Sequence, residues 1–270
     1  MLDAREIAVH ERLSGLFSIR LTVVSENPDI DFEAVIGRPA SFEVLSGASG
    51  GERLRSWTGI CRELDQLRVE DSGLSTYSLE IVPTLWLATQ RRNHRMFQGL
   101  SDVDLALAIL SEWEIVPVQR LSATYKKRKY RVQYGESDYD FLCRTLEDAG
   151  VSFSFEDQGG TTALVLSDAP HMNPPREPKI AFRDAPTVAE LEHVTAVRVR
   201  RQVRPGKVTL RDHDYRRQPG YKLLGAAALG SGVEDRLEQY HYTPGAFLFE
   251  SDKGDPTPAA DDRGRYRTDE

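Results

Sequence analysis

Cysteine is nearly absent from this sequence. Its 270 residues include two, Cys61 and Cys143, which lie far apart and match no metal-binding spacing. So few cysteines in so long a chain exclude a fold held together by several disulfides, although a single bridge stays open. We expect both thiols to be buried as small hydrophobic side chains.

Long apolar runs are also missing, so we expect no membrane span. Apolar residues still make up 40% of the composition, which is enough for a substantial core. The first residues, 1–6, carry charges where a signal peptide needs an apolar stretch. We therefore expect a protein that stays in the cytoplasm, or one that leaves through a machine that reads no N-terminal signal.

An excess of basic residues is lacking too. Lysine and arginine number 35 against 42 acidic residues, a net charge of −7 that argues against a nucleic-acid partner. One basic run, Lys126–Arg131, has five positive charges and a tyrosine. It leads directly into a predicted strand, where alternate charges face water. A solvated strand face or an inter-subunit contact is therefore favoured over a phosphate-binding patch.

Catalytic motifs are absent. The sequence has no nucleophile elbow, phosphate-binding loop or dinucleotide fingerprint. His213 and His241 have no metal-ligand partner two to four residues further along the chain. Glu136, Asp138 and Asp140 cluster at a predicted helix start, where the positive end of the helix dipole explains them without acid–base chemistry. We expect no enzyme, and no catalytic, cofactor-binding or metal-binding residue.

Alternating apolar and polar residues dominate the first ninety positions. Strands are predicted at 17–24, 41–45, 56–61 and 76–82, and the Gly/Ser-rich stretch 46–51 is a predicted exposed hairpin tip. Several short strands at this spacing are typical of a barrel or a sandwich.

Two helices are predicted in the middle of the chain. The first begins at Ser101, which forms a capping-box pattern with Asp104. The second begins at Ser137 and stops at Gly150, with Asp138 and Asp140 in its first turn. Its predicted buried stripe consists of Phe141, Leu142, Leu146 and Ala149.

After Gly150 apolar and polar residues alternate again, as in strands. Strands are predicted at 151–156, 162–167, 194–203 and 207–212, with a stiff proline-rich linker at 173–178 and a turn at 205–206. The tail from residue 250 is rich in Asp, Gly, Pro and Arg, which predicts no packed structure of its own.

A colinear series of motifs makes the chain resemble VgrG, the spike protein family of type VI secretion systems. The series is Leu13–Phe17, Leu21–Glu26, Trp57–Gly59, Tyr77–Leu87, Arg95–Gly99, Tyr130–Glu156, Val208–Tyr215 and Tyr240–Gly245, where Thr243 is an extra residue. Such an ordered series over most of the chain is much more specific than any single motif.

The resemblance implies a mainly β fold with small helices (α+β), built from two β-barrel domains of the phage baseplate hub type. We expect a first barrel at 1–95, helical insertions and a second barrel at 96–250, and a flexible tail at 251–270. Family members continue into the last part of the hub, an oligonucleotide-binding-type barrel and a needle, and we expect these three parts to be absent from this sequence.

The resemblance also implies partners and a place of action. Three copies would close into a ring whose six barrels imitate sixfold symmetry, and the ring would seat on a hexameric tube of the Hcp type. Baseplate proteins and effectors are further expected partners. The spike would assemble in the bacterial cytoplasm and leave by injection into a target cell.

The family motif also marks individual positions, to which the resemblance gives a structural role. They are Phe97, Tyr134, Ser137, Asp138, Tyr139, Phe141, Leu142, Leu146, Glu147, Gly150, Phe155, Arg211 and Asp212. Two other functions stay open: the hub of a contractile phage tail or related injection device, and a β-barrel module that binds glycans or nucleic acid.

Overall fold

A computed structural model describes residues 2–45, 51, 53–70, 73–125, 127–128, 130–173, 175, 179–184, 193–213, 223–228 and 230–244. In this part the chain is mainly β, with two α-helices, α1 (Asp102–Glu112) and α2 (Asp138–Asp148). The prediction of a β-rich chain with small helices is therefore confirmed. The predicted hairpin tip, apart from Gly51, and the tail 251–270 lie outside the described residues.

Residues 3–82 fold into one five-stranded antiparallel sheet of order β1-β2-β5-β4-β3. The strands predicted there are all present, and one of them is much longer than expected. The sheet has two edge strands, β1 and β3, so a pair of barrel domains stays a prediction. Its strands are β1 Asp3–His10, β2 Ser18–Ser25, β3 Pro39–Leu45, β4 Arg53–Arg68 and β5 Ser75–Val82.

Apolar side chains of β2, β4 and β5 build the core on this sheet. In β2, Ile19, Leu21 and Val23 are buried because they occupy alternate positions on one face. Tyr77 is fully buried, and its hydroxyl donates to the backbone oxygen of Asn27 at 2.8 Å, so its polar end is satisfied.

Glycine is required where the sheet meets the following 3₁₀ helix, Thr84–Thr89. A Cβ at Gly59 would lie 2.0 Å from the carbonyl oxygen of Val82. No other residue type fits this close approach of β4 to the end of β5.

Both helices begin as the sequence predicts. The Ser101 hydroxyl accepts from the Asp104 N–H at 3.1 Å, and the Asp104 carboxylate accepts from the Ser101 N–H at 3.3 Å, which completes a capping box. The Ser137 hydroxyl accepts from the Asp140 N–H at 3.0 Å. Gly150 has a φ of 68° and ends the second helix as a left-handed cap.

A second core lies between the two helices and a small sheet of order β7-β10-β9. β9 (Ser152–Gln158) and β10 (Thr161–Ser167) form the predicted hairpin, and β7 (Val118–Arg120) adds a parallel strand. The predicted buried stripe of α2 is confirmed, since Phe141, Leu142, Leu146 and Ala149 are all buried.

The hairpin β9–β10 also packs on the first sheet. The N–H of Thr58 donates to the Thr162 hydroxyl at 2.7 Å, and the N–H of Thr162 donates to the Thr58 hydroxyl at 2.8 Å. The rings of Phe17 and Phe155 meet edge to face at 5.1 Å between centroids. The two cores are therefore joined by both polar and aromatic contacts.

A two-stranded antiparallel ribbon packs against the two helices. It pairs β6 (Arg92–Gln98) with β8 (Tyr130–Ser137). Side chains on one face of the ribbon, including Phe97 and Gln133, turn toward the helices, and those on the other face are exposed.

The C-terminal region holds short strands. β11 (Ala181–Phe182) pairs with β12 (His193–Val194), and β13 (Lys207–Asp212) lies between β14 (Leu223–Ala228) and β15 (Glu238–Tyr242). The strand predicted at 207–212 is confirmed.

The strand predicted at 194–203 is wrong beyond Val194, because residues 195–203 form no regular structure. Their valines alternate with polar residues as in a strand. However, Val197, Val199 and Val203 are mostly exposed, since no core lies beside them within the described residues.

Both cysteines are free thiols. Cys61 is buried on the first sheet, as expected, and Cys143 on α2 is half-buried. The open possibility of a bridge between them is thereby closed in this fold.

Candidate functional site

The carboxylate of Asp138 is completely buried at the first turn of α2, with 0% of its surface exposed. Arg91 donates to one of its oxygens through Nε at 2.6 Å, and Arg95 donates to the other at 2.8 Å. The amide of Gln133 donates at 2.9 Å and the indole N–H of Trp113 at 3.3 Å. Four donors therefore satisfy one buried negative charge; two lie on β6 and β8, one directly before β6 and one at the C-cap of α1.

Glu112 at the end of α1 extends this arrangement into a network. Its carboxylate accepts from Arg95 at 2.6 Å and also from Arg91. Each arginine thus bridges the last turn of α1 and the first turn of α2. We call Arg91, Arg95, Glu112, Gln133 and Asp138 the arginine–carboxylate network.

Two further ion pairs fix the start of β8 and the loop before it. Arg128 binds Asp102 at the start of α1 through two hydrogen bonds of 2.6 and 2.8 Å, and Arg131 binds Asp148 at the end of α2. Burial, reinforced by the nearby Arg128, lowers the pKa of Arg131 to about 10.

At Arg128 and Arg131 these pairs correct the expectation that charges of the basic run face water, whereas Lys127 is exposed. The side chains of Arg128 and Arg131 are about one-tenth exposed, and each is neutralised by a helix carboxylate. The run therefore packs inward at these two positions. Positive charges committed in this way are not free to bind phosphate.

Aromatic packing fastens the ribbon to the same helices. The ring of Phe97 stacks on Phe141 with centroids 5.8 Å apart, and Leu105 and Ile109 of α1 complete this small core. The opposite face of the ribbon carries Tyr134, which is 80% exposed and meets His94 edge to face at 4.9 Å.

The structure brings most of the predicted motif positions together around α2. Tyr139 is half-buried beside Cys143, and burial raises the pKa of its hydroxyl. Glu147 is exposed on the helix surface. Gathered on or near α2 are Phe97, Tyr134, Ser137, Asp138, Tyr139, Phe141, Leu142, Leu146, Glu147 and Gly150.

Three predicted positions lie elsewhere. Phe155 belongs to β9 and packs on Phe17 of the first core. Arg211 and Asp212 belong to β13, where Arg211 is exposed and Asp212 is buried and accepts from the N–H of His213 at 2.7 Å. They form no part of the arginine–carboxylate network.

Sequence reasoning missed Arg91, Arg95 and Glu112. It assigned Asp138 to the helix dipole alone, whereas the structure gives this carboxylate two arginine partners. The available signal was a pair of arginines shortly before a helix that ends in a glutamate: Arg91 directly precedes strand β6, and Arg95 lies on it.

Within the described ranges, no group of three or more histidine, cysteine or acidic side chains is placed to hold a metal ion. The same residues contain no helix that is long and apolar enough to cross a membrane. The arrangement is built to hold elements together, since its charged groups are paired with one another.

The profile of the phage tail baseplate hub (GPD) family matches residues 10–270. The chain belongs to this family. Among the curated relatives of this chain, the type VI secretion system spike protein VgrG1b of Pseudomonas aeruginosa is 29% identical over 83% of the chain. VgrG1a of the same organism is 31% identical over 79% of the chain. The resemblance to VgrG drawn from the sequence is confirmed.

The chain spans about a third of the length of these relatives, 30% of VgrG1b and 33% of VgrG1a. Among solved structures, the E. coli c3393 protein has the same fold, with a TM-score of 0.56 and 22% identity over 62% of this chain and 46% of that chain. That protein is described as a component of the type VI secretion system with structural similarity to T4 bacteriophage tail proteins gp27 and gp5. This family is one of structural hub proteins.

Proposed function

We propose that this chain is a structural part of a type VI secretion spike, where three copies form a hub that caps the hexameric tube and carries the puncturing needle. The observation that carries the proposal is the match to VgrG spike proteins, about 30% identical over roughly four-fifths of the chain. Two barrel domains, at 1–95 and 96–250, belong to the same proposal.

A hub that is driven by a contracting sheath has to keep its parts in register under load. The arginine–carboxylate network supports this duty, because breaking one partner of a buried charge pair leaves an uncompensated charge. The reciprocal bonds between Thr58 and Thr162 join the first sheet to the helical region in the same way.

The proposed partners are two further copies of the chain, a tube protein of the Hcp type, baseplate proteins and effectors. The proposed route is assembly in the bacterial cytoplasm followed by injection. No catalytic step is part of the proposal, and neither is a nucleic-acid partner, since Arg128 and Arg131 of the basic run are already paired.

The experiment is a mass measurement by light scattering over a wide concentration range, followed by electron microscopy of any oligomer. A threefold ring with a central hole that binds hexameric tube protein supports the proposal. A chain that stays monomeric at high concentration and ignores the tube contradicts it.

A second candidate is the hub of a contractile phage tail. It is favoured by the family profile itself, which describes a phage tail baseplate hub. Binding of purified tube proteins separates the two, because a type VI hub binds the Hcp-type hexamer and a phage hub binds the tube of its own tail.

A further inference from the structure

The outer face of the β6–β8 ribbon is unusually apolar for a surface. Met96, Tyr130 and Tyr134 are 61%, 63% and 80% exposed, and His94 and Val132 are exposed beside them. In the strand register His94 lies opposite Tyr134, and Met96 lies opposite Val132, so these side chains form one patch. We call these five residues the ribbon face.

The ribbon face has the composition and rigidity of an interface. Tyrosine and methionine are enriched at protein–protein contacts, and a patch of exposed apolar side chains marks such a site. Directly behind it, Arg95 and Gln133 hold the strands to the buried Asp138. A partner would therefore meet a preorganised surface and would not have to order it.

Positive charge flanks the ribbon face at both ends. Arg92 and Lys127 are exposed, and neither has an ion-pair partner among the described residues. Arg92 sits opposite Ser137, and Lys127 bridges to Ser101 beyond the other end of the ribbon. The surface thus calls for a partner that is apolar at its centre and acidic around it.

This chain itself carries such a surface at residues 26–36, which we call the acidic turn. Phe32 and Ile36 are exposed there at 36% and 41%. The turn is anchored on the first sheet, because the backbone oxygens of Asn27 and Pro28 accept from Tyr77 and Gln66. Its acids are exposed and have no ion-pair partner in the described part of the chain; they are Glu26, Asp29, Asp31 and Glu33.

We propose that the ribbon face of one copy docks on the acidic turn of a second copy. The apolar centres would bury each other, and the acids would lie against Arg92 and Lys127. Because the two surfaces are different parts of the chain, the contact is head to tail. Such a contact forms a closed ring when the rotation between neighbouring copies is right, and a ring of three is one such solution. The inference rests on the proposed hub and names the contact between its subunits.

Charge variants of the full chain test the contact by sedimentation velocity. Tyr134→Glu and Met96→Glu should each weaken self-association at least tenfold. Val116→Glu is the matched control, because Val116 is 89% exposed in a loop outside both surfaces. Arg92→Glu and Asp31→Lys should each weaken the oligomer, and the two changes together should restore much of it.

A disulfide between copies tests the geometry directly. Tyr134→Cys in one tagged copy and Phe32→Cys in a differently tagged copy should form a mixed disulfide under mild oxidation. Val116→Cys paired with Phe32→Cys should form little, at equal concentration.

The outcomes separate the proposed contact from the proposed hub. An oligomer that survives Tyr134→Glu and gives no mixed disulfide overturns this contact but leaves the proposed hub intact. If Tyr134→Glu abolishes binding of the tube protein and leaves the oligomer unchanged, the ribbon face belongs to the tube and the inference is overturned. A chain that is monomeric at every concentration and forms no disulfide overturns both the contact and self-association.

Discussion

Arg95 and Asp138 form an ion pair of 2.8 Å that ties strand β6 to the first turn of helix α2. The arginine side chain is one-fifth exposed and the carboxylate is fully buried. The pair is therefore shielded from water on the carboxylate side, where electrostatic interactions are strongest.

Replacing Asp138 with Asn should destabilise the fold by about 3 kcal/mol, because Arg91 and Arg95 then lose their shared buried counter-charge. Urea unfolding followed by tryptophan fluorescence measures the change. Glu147→Gln is the control on the same helix, and it should stay within about 0.5 kcal/mol because Glu147 is exposed. Equal effects of the two changes would contradict a structural role for the network.

Replacing Ser137 with Ala should cost about 1 kcal/mol, since the N–H of Asp140 loses its acceptor at the helix start. The same unfolding measurement applies. Ser111→Ala, at an exposed position near the end of α1, is the matched control and should change stability by less than about 0.5 kcal/mol. A neutral Ser137→Ala would show that the cap is replaced by another acceptor.

Thr58 and Thr162 should behave as a coupled pair. Thr58→Val or Thr162→Val keeps the side-chain shape but leaves one backbone N–H without its acceptor, at a cost of about 1–2 kcal/mol. The double variant should cost less than the sum, because the first change already loosens the sheet contact. Thr161→Val is the control, because Thr161 is exposed and lies next to Thr162 on β10. Strict additivity would mean that the two bonds act independently.

Asp168 should make stability depend on pH in the acid range. Burial acts to raise its pKa, but donors on the loop after β7 outweigh burial and hold the pKa of Asp168 below its ordinary value. They are the N–H groups of Ser122 and Ala123, at 2.8 and 2.7 Å, and the hydroxyl of Tyr125, at 3.0 Å.

A depressed pKa in the folded state stabilises the protein above the unfolded value of about 3.9, and this contribution is lost as the pH falls through the lower folded value. The wild type should therefore exceed Asp168→Asn in stability at pH 7, and the difference should shrink below about pH 4. Urea midpoints at pH 7, 5, 4 and 3 measure it. A difference that stays constant over this range would contradict the role of the carboxylate charge.

Local signals predicted the elements that depend on local chemistry. Patterns of three or four residues mark both helix starts and the end of the second helix. They could therefore be located to the residue, at Ser101, Ser137 and Gly150. The β2 and β5 strands were equally visible because one face of each is buried. The alternation at 194–203 looks the same in the sequence, yet Val199 is exposed, because alternation does not reveal whether a core is present.

The candidate site depended on partners that are distant in sequence. Asp138 and its helix were recognised, but its arginines lie 43 and 47 positions earlier, and no local pattern joins them. The inward direction of Arg131 was missed for the same reason. Tertiary packing brings the partners of such ion pairs together. Neither the composition nor the spacing of apolar residues along the chain shows which distant residues will meet.

The register of the ribbon has a consequence for how this protein can change over evolution. Gln98 and Tyr130 are paired across the two strands, and the N–H of Gly99 donates to the carbonyl of Arg128 at 3.0 Å. The segment between the two strands, residues 100–127, therefore leaves the ribbon and rejoins it at the same end. We call this segment, which contains α1 and β7, the excursion. Length gained or lost in the surface loops of that excursion leaves the pairing of the strands untouched. Related hubs should thus vary in size here while the motif after Tyr130 keeps its spacing, which makes this excursion the natural place to graft new sequence.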